Sequence, residues 1–151
     1  MYTTRGFTLI ELMVVITIIA LLASGVLTAL AAARAKARDA RRTDDIAALM
    51  TGIELYHNDN VHGYPSPAGC TESACSITTL APYLVPKYLE KLPVDPRSSV
   101  YHDYQYIVNG ERDSYGLLLK YERFLPTNDT FCKRGSNVSA SWFSTTYPTC
   151  P

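Results

Sequence analysis

The residue of the N-terminal third whose chemistry stands out is Glu11, a carboxylate inside a long apolar run. It is the single charged side chain between Phe7 and Ala33. The 22 residues from Leu12 to Ala33 carry no charge and are enough to cross the core of a bilayer as a helix. A charge at membrane depth is costly and usually functions with a partner group. The pattern therefore predicts that Glu11 meets a cation.

The apolar run is too long for the hydrophobic region of a signal peptide, which usually has roughly 7–15 residues. No A-x-A-like cleavage site stands at its far end, where Ala33 is followed directly by Arg34. We therefore expect the run to be retained and any cleavage to fall before it.

The residues at the start of the run form a specific motif. Residues 6–11 read GFTLIE, in which a Gly ends a short polar leader, a Phe follows, and a Glu stands four positions further on. Across residues 5–22 the chain resembles the type IV pilins and the type II secretion pseudopilins. The resemblance implies a leader peptide at residues 1–6, cleavage between Gly6 and Phe7 by a prepilin peptidase, and N-methylation of Phe7.

The same resemblance implies that Glu11 fixes the register of assembly. Cleavage gives Phe7 a free amine, and this cation can pair with the Glu11 carboxylate of a neighbouring subunit in a filament. Charges that neutralise each other in a low dielectric fix the register and penalise misalignment. The competing interpretation is an ordinary signal anchor with Glu11 near the headgroups, which leaves Gly6, Phe7 and Glu11 as coincidences.

Composition and cysteine usage narrow the class of protein. The 151 residues suggest one domain, and 14 basic against 14 acidic residues give no bulk charge for nucleic acid. All four cysteines follow the apolar run, which indicates an oxidising compartment and two disulfides with three pairings open. We choose Cys70–Cys75 and Cys132–Cys150, the second of which would stabilise by about 3 kcal/mol. Free thiols or a zinc site are the alternatives, although neither spacing is C-x-x-C.

Helical periodicity continues beyond the apolar run. No proline occurs between it and Pro65, and residues 31–38 are strong helix formers. An apolar stripe follows at helical spacing, and polar residues 58–60 with Gly63 end it; the stripe comprises Ile46, Leu49, Met50, Ile53 and Tyr56.

These elements predict an α+β, pilin-like fold, in which the second half of one long N-terminal helix packs against a small antiparallel β-sheet. Residues 7–33 would form the transmembrane or filament-core half of the helix. Residues 34–151 would form an extracytoplasmic head that includes the rest of the helix.

A basic run follows the apolar segment and is offset by Asp39; it comprises Arg34, Lys36, Arg38, Arg41 and Arg42. The positive-inside rule would place it in the cytoplasm, whereas the family resemblance and the cysteines place it outside. We interpret it as a solvated or headgroup-facing helix surface. A DNA-binding stripe that serves DNA uptake is the alternative.

The head is predicted to contain a short helix over residues 77–84 with Ser76 as its cap. A hairpin is expected from strands at Val100–Val108 and Tyr115–Tyr121, with a turn at residues 109–110. Its apolar face can cover the helical stripe.

The remainder of the head is less regular. The segment Glu122–Ser139 is expected to be irregular and polar, with an edge strand at Ala140–Tyr147. The phrase LPVDP at residues 92–96, followed by Tyr-x-Tyr, resembles major pseudopilins. The tail bounded by Cys132 and Cys150 instead resembles the disulfide region of type IV pilins.

No metal or cofactor is predicted. His57, His62 and Asp59 are interpreted as polar residues at a helix end. A calcium site in the tail is left open, with Asn128 and Asp129 as its candidate ligands. Residues 128–130 and 137–139 also match the glycan acceptor pattern, which is common by chance.

No catalytic constellation occurs, so we predict that the protein is not an enzyme. The predicted function is a pilin that polymerises into a type IV pilus; the alternative is the major pseudopilin of a type II secretion pseudopilus. A membrane-anchored binding module for adhesion or DNA uptake is the alternative from another class.

The expected partners are further copies of the chain, other pilins, the prepilin peptidase, the inner-membrane assembly platform with its ATPase, and lipid, with nucleic acid left open. The chain would start as a single-pass protein of the inner membrane, with its N-terminus in the cytoplasm. After assembly it would lie in an extracellular or periplasmic filament.

Overall fold

The computed structural model describes residues 6–97, 103–123, 131–138 and 147–150, with backbone alone at Thr28. Its first element is α1 (Leu9–Asp59), a helix of 51 residues. The chain divides into two compact units, Met1–Ala37 and Arg38–Pro151, and the division falls within α1.

Helix α1 begins two residues after the predicted start at Phe7 and ends where the polar cluster predicted it. At its end the side-chain Nδ2 of Asn60 donates to the Tyr56 carbonyl at 2.7 Å. Gly63 then takes φ +85°, and a Cβ there would lie 2.2 Å from the Arg112 carbonyl oxygen. Only glycine fits this turn, which brings the chain after the helix against Arg112.

A four-stranded antiparallel sheet follows, with strands in the order β1 (Cys75–Ser76), β2 (Gln105–Val108), β3 (Tyr115–Leu119) and β4 (Cys132–Ser136). The predicted hairpin is present as β2 and β3, in which Gln105 pairs with Leu118 and Val108 with Tyr115. The described strand β2 begins five residues after the predicted start at Val100, and residues 98–102 lie outside the described part of the chain.

The expectation of an irregular segment over Glu122–Ser139 is wrong for β4. Lys133, Arg134 and Ser136 give this strand no apolar alternation, but its partner β3 is buried at all five positions and supplies the pairing. Gly135 allows β4 to approach β3 closely, because a Cβ there would lie 2.2 Å from the Tyr115 carbonyl oxygen. The expected edge strand lies outside the described residues except for Tyr147.

The core of the head lies between the second half of α1 and the sheet. Ile46, Leu49 and Ile53 of the predicted stripe are buried, and Met50 and Tyr56 pack beside them. The opposite side of this core consists of the sheet, the short helices and Tyr104 just before β2; its buried residues include Leu80, Leu84, Tyr104, Tyr106, Val108, Tyr115, Leu117 and Leu119. The fold is therefore the predicted α+β architecture.

The short helix consists of a 3-10 turn (Ile77–Leu80) that continues into α2 (Ala81–Leu84). As predicted, Ser76 caps it, since its side-chain oxygen accepts from the Thr78 backbone N–H at 3.3 Å. The disulfides Cys70–Cys75 and Cys132–Cys150 have the pairing chosen from the sequence.

Candidate functional site

The N-terminus of α1 is closed by a reciprocal pair of side chains, Thr8 and Glu11. A Glu11 carboxylate oxygen accepts from the Thr8 backbone N–H at 2.9 Å and from its hydroxyl at 2.6 Å. The Thr8 hydroxyl oxygen accepts in turn from the Glu11 backbone N–H at 3.3 Å. This is a capping box, which satisfies helix-end donors that have no partner within the helix.

Glu11 was predicted from the sequence as a functional residue, whereas its partner Thr8 was not. The signal was present, because Thr-x-x-Glu directly before an apolar run is the sequence pattern of a capping box. Glu11 therefore has a partner within its own chain, while the intermolecular partner implied by the family resemblance stays a prediction. The two roles use the same carboxylate.

The residues of the implied cleavage site precede the helix. Gly6 and Phe7 lie in non-helical backbone, and Phe7 is 82% exposed. A Cβ at Gly6 would meet no atom within 4 Å. The peptide bond between them therefore lies in exposed, non-helical backbone, and cleavage and methylation themselves stay predictions.

The first half of α1 presents apolar side chains on all of its faces. Within the described part of the chain, α1 is the one helix long and apolar enough to cross a membrane, and the apolar stretch is unburied. A helix that is apolar all round requires lipid or other apolar helices around it. The exposed large side chains include Leu9, Ile10, Leu12, Met13, Val14, Ile16, Ile19, Leu21, Leu22, Val26 and Leu27.

The head contains a second polar arrangement, here called the Arg42 cluster. It consists of three guanidinium groups and three carboxylates that form ion pairs, namely Arg38, Arg42, Arg97, Asp39, Asp95 and Glu122. Arg42 is completely buried. Its Nε and Nη2 contact the two Asp95 oxygens at 2.6 and 3.0 Å, and its Nη1 contacts Asp39 at 2.7 Å and Glu122 at 3.0 Å.

Glu122 also forms ion pairs with the other two guanidinium groups of the Arg42 cluster. Arg38 holds its carboxylate with two contacts of 2.6 Å, and Arg97 adds one at 3.1 Å. The Arg38 hydrogen bond is the main cause that lowers the pKa of Glu122 to about 2, against the opposing effect of burial. Burial opposes the charge on Arg42, but hydrogen bonds to Asp95 and Glu122 outweigh it and raise the pKa of Arg42. Charged partners therefore satisfy each other inside the head.

The Arg42 cluster corrects the interpretation of the basic run as a solvated surface. Arg42 is buried and Arg38 is half-buried, and both are neutralised by carboxylates. Arg34, Lys36 and Arg41 are exposed, as expected. The alternative of a DNA-binding stripe thus loses two of its five cations.

The histidines near the helix end do not gather into a metal site. In the described residues, no group of three or more His, Cys, Asp or Glu side chains could hold a metal ion. His57 stacks on the Tyr64 ring with centroids 4.3 Å apart, and Asp59 pairs with Lys87 at 2.8 Å. The candidate calcium ligands Asn128 and Asp129 lie outside the described residues.

The fold and the N-terminal segment define a class of protein, the pilin-like subunits with a prepilin-type N-terminus. A family profile described as "Prokaryotic N-terminal methylation motif" matches residues 1–27. This match covers the motif at residues 6–11 and most of the apolar run.

Comparison with curated proteins identifies the family within this class. The chain is 40% identical over 118 residues to the type II secretion system core protein G of Escherichia coli (strain K12), which covers 76% of this chain and 79% of that protein. It is 32% identical over 133 residues to the core protein G of Klebsiella michiganensis, with 83% and 88% covered. The core protein G of Pseudomonas aeruginosa is 35% identical over 118 residues, with 74% and 79% covered. No solved structure matches the chain significantly.

The chain belongs to the family of the type II secretion system core proteins G, the major pseudopilins. The predicted pilin family is thereby confirmed, but the comparisons favour the stated alternative, a pseudopilin, over the type IV pilin. The LPVDP phrase, which resembles major pseudopilins, agrees with this result, whereas the cysteine-bounded tail favoured the type IV pilins. This family consists of structural subunits and is not an enzyme family.

Proposed function

We propose that this protein is the major subunit of a type II secretion pseudopilus, stored in the inner membrane and polymerised after removal of residues 1–6. One observation carries the proposal: Glu11 stands at the capped start of an exposed apolar helix, in a chain that is 40% identical to a core protein G.

The apolar half of α1 would occupy two environments in turn. Lipid surrounds it before assembly, and neighbouring apolar helices replace the lipid in the filament. This exchange keeps side chains such as Ile16 and Leu22 away from water throughout, so burial against other subunits offsets the cost of association.

Glu11 would fix the register of the subunits when they leave the lipid and join the filament. Before assembly its carboxylate is satisfied by Thr8 within the capping box. In the filament it would pair with the methylated amine of Phe7 from a neighbouring subunit. An unpaired charge in an apolar interior costs several kcal/mol, so subunits in the wrong register are rejected.

The partners follow from these steps. The prepilin peptidase would cut after Gly6 and methylate Phe7, and copies of the chain and other pseudopilins would join the filament. An inner-membrane platform with its ATPase would extract the subunit from lipid. The two disulfides support placement of the head on the oxidising, periplasmic side, with the N-terminus in the cytoplasm.

Two substitutions with a matched control test the processing site and the register. We expect Gly6→Ala to accumulate with residues 1–6 attached, and Glu11→Ala to be trimmed and methylated but to yield few filaments. Glu111→Ala, which removes an exposed carboxylate of the head, should behave as the wild type. Mass spectrometry of the N-terminus and the yield of sheared filaments are the measurements. Mature-size protein from Gly6→Ala would refute the cleavage site, and normal filament yield from Glu11→Ala would refute the register.

A complementation experiment tests the choice of a pseudopilus over a pilus. In a strain that lacks its own copy of this chain, secretion of folded exoproteins should stop while surface pili stay at their normal number. Restoring the chain should restore secretion. Loss of pili with unchanged secretion would contradict the proposal and favour a type IV pilin instead.

A further inference from the structure

The turn between β2 and β3 contains Asn109 followed by Gly110, a dipeptide that the assembly role does not use. In an Asn-Gly sequence the backbone nitrogen of the glycine can attack the side-chain amide carbon of the asparagine. Glycine offers the least hindrance to this attack, because it has no Cβ. Gly110 is exposed and Asn109 is half-buried, so water reaches the turn.

The side-chain amide of Asn109 is fixed by hydrogen bonds to residues on the far side of the turn. Its Oδ1 accepts from the backbone N–H groups of Asp113 and Ser114, both at 3.1 Å. Its Nδ2 donates to the Asp113 carboxylate at 2.6 Å. These three hydrogen bonds restrict rotation of the Asn109 side chain, and the attack on its amide carbon requires that side chain to turn toward the Gly110 nitrogen.

The nitrogen that would attack is held by a different part of the chain. The Gly110 N–H donates to the Glu72 carboxylate at 2.7 Å. Glu72 lies inside the loop closed by Cys70–Cys75 and takes φ +54°. Its own backbone N–H donates to the Val108 carbonyl at 2.8 Å, so the disulfide loop is paired with the start of the same turn.

We propose that Asn109 is a deamidation site that the fold keeps closed, and that Glu72 is the latch, positioned by the Cys70–Cys75 disulfide. Opening allows the Gly110 nitrogen to lose its proton and bond to Cγ of Asn109, while the Cγ–Nδ2 bond breaks and ammonia leaves. Water then adds to either carbonyl of the cyclic imide. The product is aspartate or isoaspartate at position 109, and no oxidant or reductant takes part.

Deamidation would destabilise the same turn that protects Asn109 from it. A carboxylate at position 109 loses the donor that now contacts Asp113 at 2.6 Å and brings two negative charges together instead. Glu72 adds a third carboxylate near the same turn. Reduction of the disulfide would thus be followed by irreversible deamidation of Asn109. This inference is independent of the assembly role.

The test compares deamidation rates of the full chain in detergent at mildly alkaline pH, read by peptide mass spectrometry with isoaspartate detection. Glu72→Ala removes the latch, and Cys70→Ser/Cys75→Ser releases the loop that carries it. Glu90→Ala is the matched control, since Glu90 is also an exposed carboxylate of the head. The denatured wild-type chain gives the unprotected rate.

We expect folded wild type and Glu90→Ala to deamidate several-fold more slowly than the denatured chain, and both latch variants to approach its rate. Adding Gly110→Ala to Glu72→Ala should slow the reaction again. Glu72→Gln keeps an acceptor oxygen and should retain the slow rate, and near-UV circular dichroism checks that each head is folded. A folded wild type as fast as the denatured chain would overturn the proposal. So would an unchanged or slower rate in folded Glu72→Ala, or equal rates in Glu72→Gln and Glu72→Ala.

Discussion

At the scale of single residues, Arg42 determines whether the buried charges of the head stabilise or destabilise the fold. A buried guanidinium is unfavourable alone, but here every nitrogen of its fork has a carboxylate within 3.0 Å. Removing one member of a buried ion-pair network leaves the others unpaired, which is the expensive outcome.

We therefore predict that Arg42→Met lowers the free energy of unfolding by about 3–5 kcal/mol, because Asp95 and its neighbours lose their counter-charge. Arg41→Met is the control, since Arg41 is the adjacent exposed cation, and its effect should stay within about 0.5 kcal/mol. Denaturant unfolding of the full chain in detergent measures both. Equal effects of the two substitutions would contradict a structural role for the Arg42 cluster.

Glu122 gives the same cluster a pH dependence. Its pKa falls from an ordinary 4.5 to about 2 in the folded head. A carboxylate with a depressed folded pKa stabilises fully above its unfolded pKa and loses that contribution as the pH falls toward the folded value. We expect a loss of up to about 3 kcal/mol between about pH 5 and pH 2.

The measurement is the free energy of unfolding at a series of pH values for the wild type and for Glu122→Gln. Asp59 and Asp113 also have lowered pKa values, because Lys87 and Ser114 respectively hydrogen-bond to them, so the wild type alone would mix several contributions. The difference between the two proteins isolates Glu122. Parallel curves would show that Glu122 carries no pH-dependent stability.

At the scale of elements, the contact between α1 and the segment after α2 depends on Gly52. A Cβ at Gly52 would lie 2.9 Å from Cγ and 3.0 Å from Cδ1 of Leu89. Glycine lowers helix propensity by about 1 kcal/mol, whereas overpacking costs about 1–3 kcal/mol. We predict that Gly52→Ala destabilises the wild type by about 1 kcal/mol net.

The matched background for this prediction is Leu89→Ala, which removes the atoms that the new methyl would meet. There Gly52→Ala should stabilise, because only the gain in helix propensity remains. Thermal unfolding of the four proteins gives the double-mutant cycle. The same sign in both backgrounds would show that Leu89 is not what restricts position 52.

The elements also show which parts of the fold the sequence determines locally. Helix α1, the Ser76 cap and the β2–β3 hairpin each carry a local pattern, so periodicity and turn residues predict them. Strand β4 carries none, because its pairing comes from β3, from the tail at Pro148 and Cys150, and from the absence of a Cβ at Gly135. Such long-range causes are invisible in a window of residues.

The same division applies to the candidate site. Glu11 was predictable, because a lone carboxylate in an apolar run is rare and costly, and Thr8 was readable from its spacing. The partners of Arg42 were not, since Asp95 and Glu122 lie 53 and 80 residues further along the chain. A basic run with carboxylates that far away resembles a solvated face until the fold is known.

At the scale of the whole molecule, two compact units require different surroundings. The unit Met1–Ala37 exposes an apolar helix that needs lipid or other helices, whereas Arg38–Pro151 has its own core, two disulfides and the Arg42 cluster. The second unit begins at the first residue of that cluster. This predicts where the chain can be cut without loss of the head.

We predict that a fragment of residues 34–151 is soluble without detergent and unfolds cooperatively, whereas residues 43–151 do not form a stable head. The shorter fragment loses Arg38, Asp39 and Arg42 together and leaves Asp95 buried without its counter-charge, a cost of about 3–5 kcal/mol. That cost is of the order of the whole stability of a small domain. Both fragments keep the stripe from Ile46 and both disulfides, so apolar burial and cross-links are matched between them. Near-UV circular dichroism of the buried tyrosines during urea unfolding compares the two. A cooperative transition at the same urea concentration in residues 43–151 would show that the apolar core holds the head alone and that the cluster contributes little.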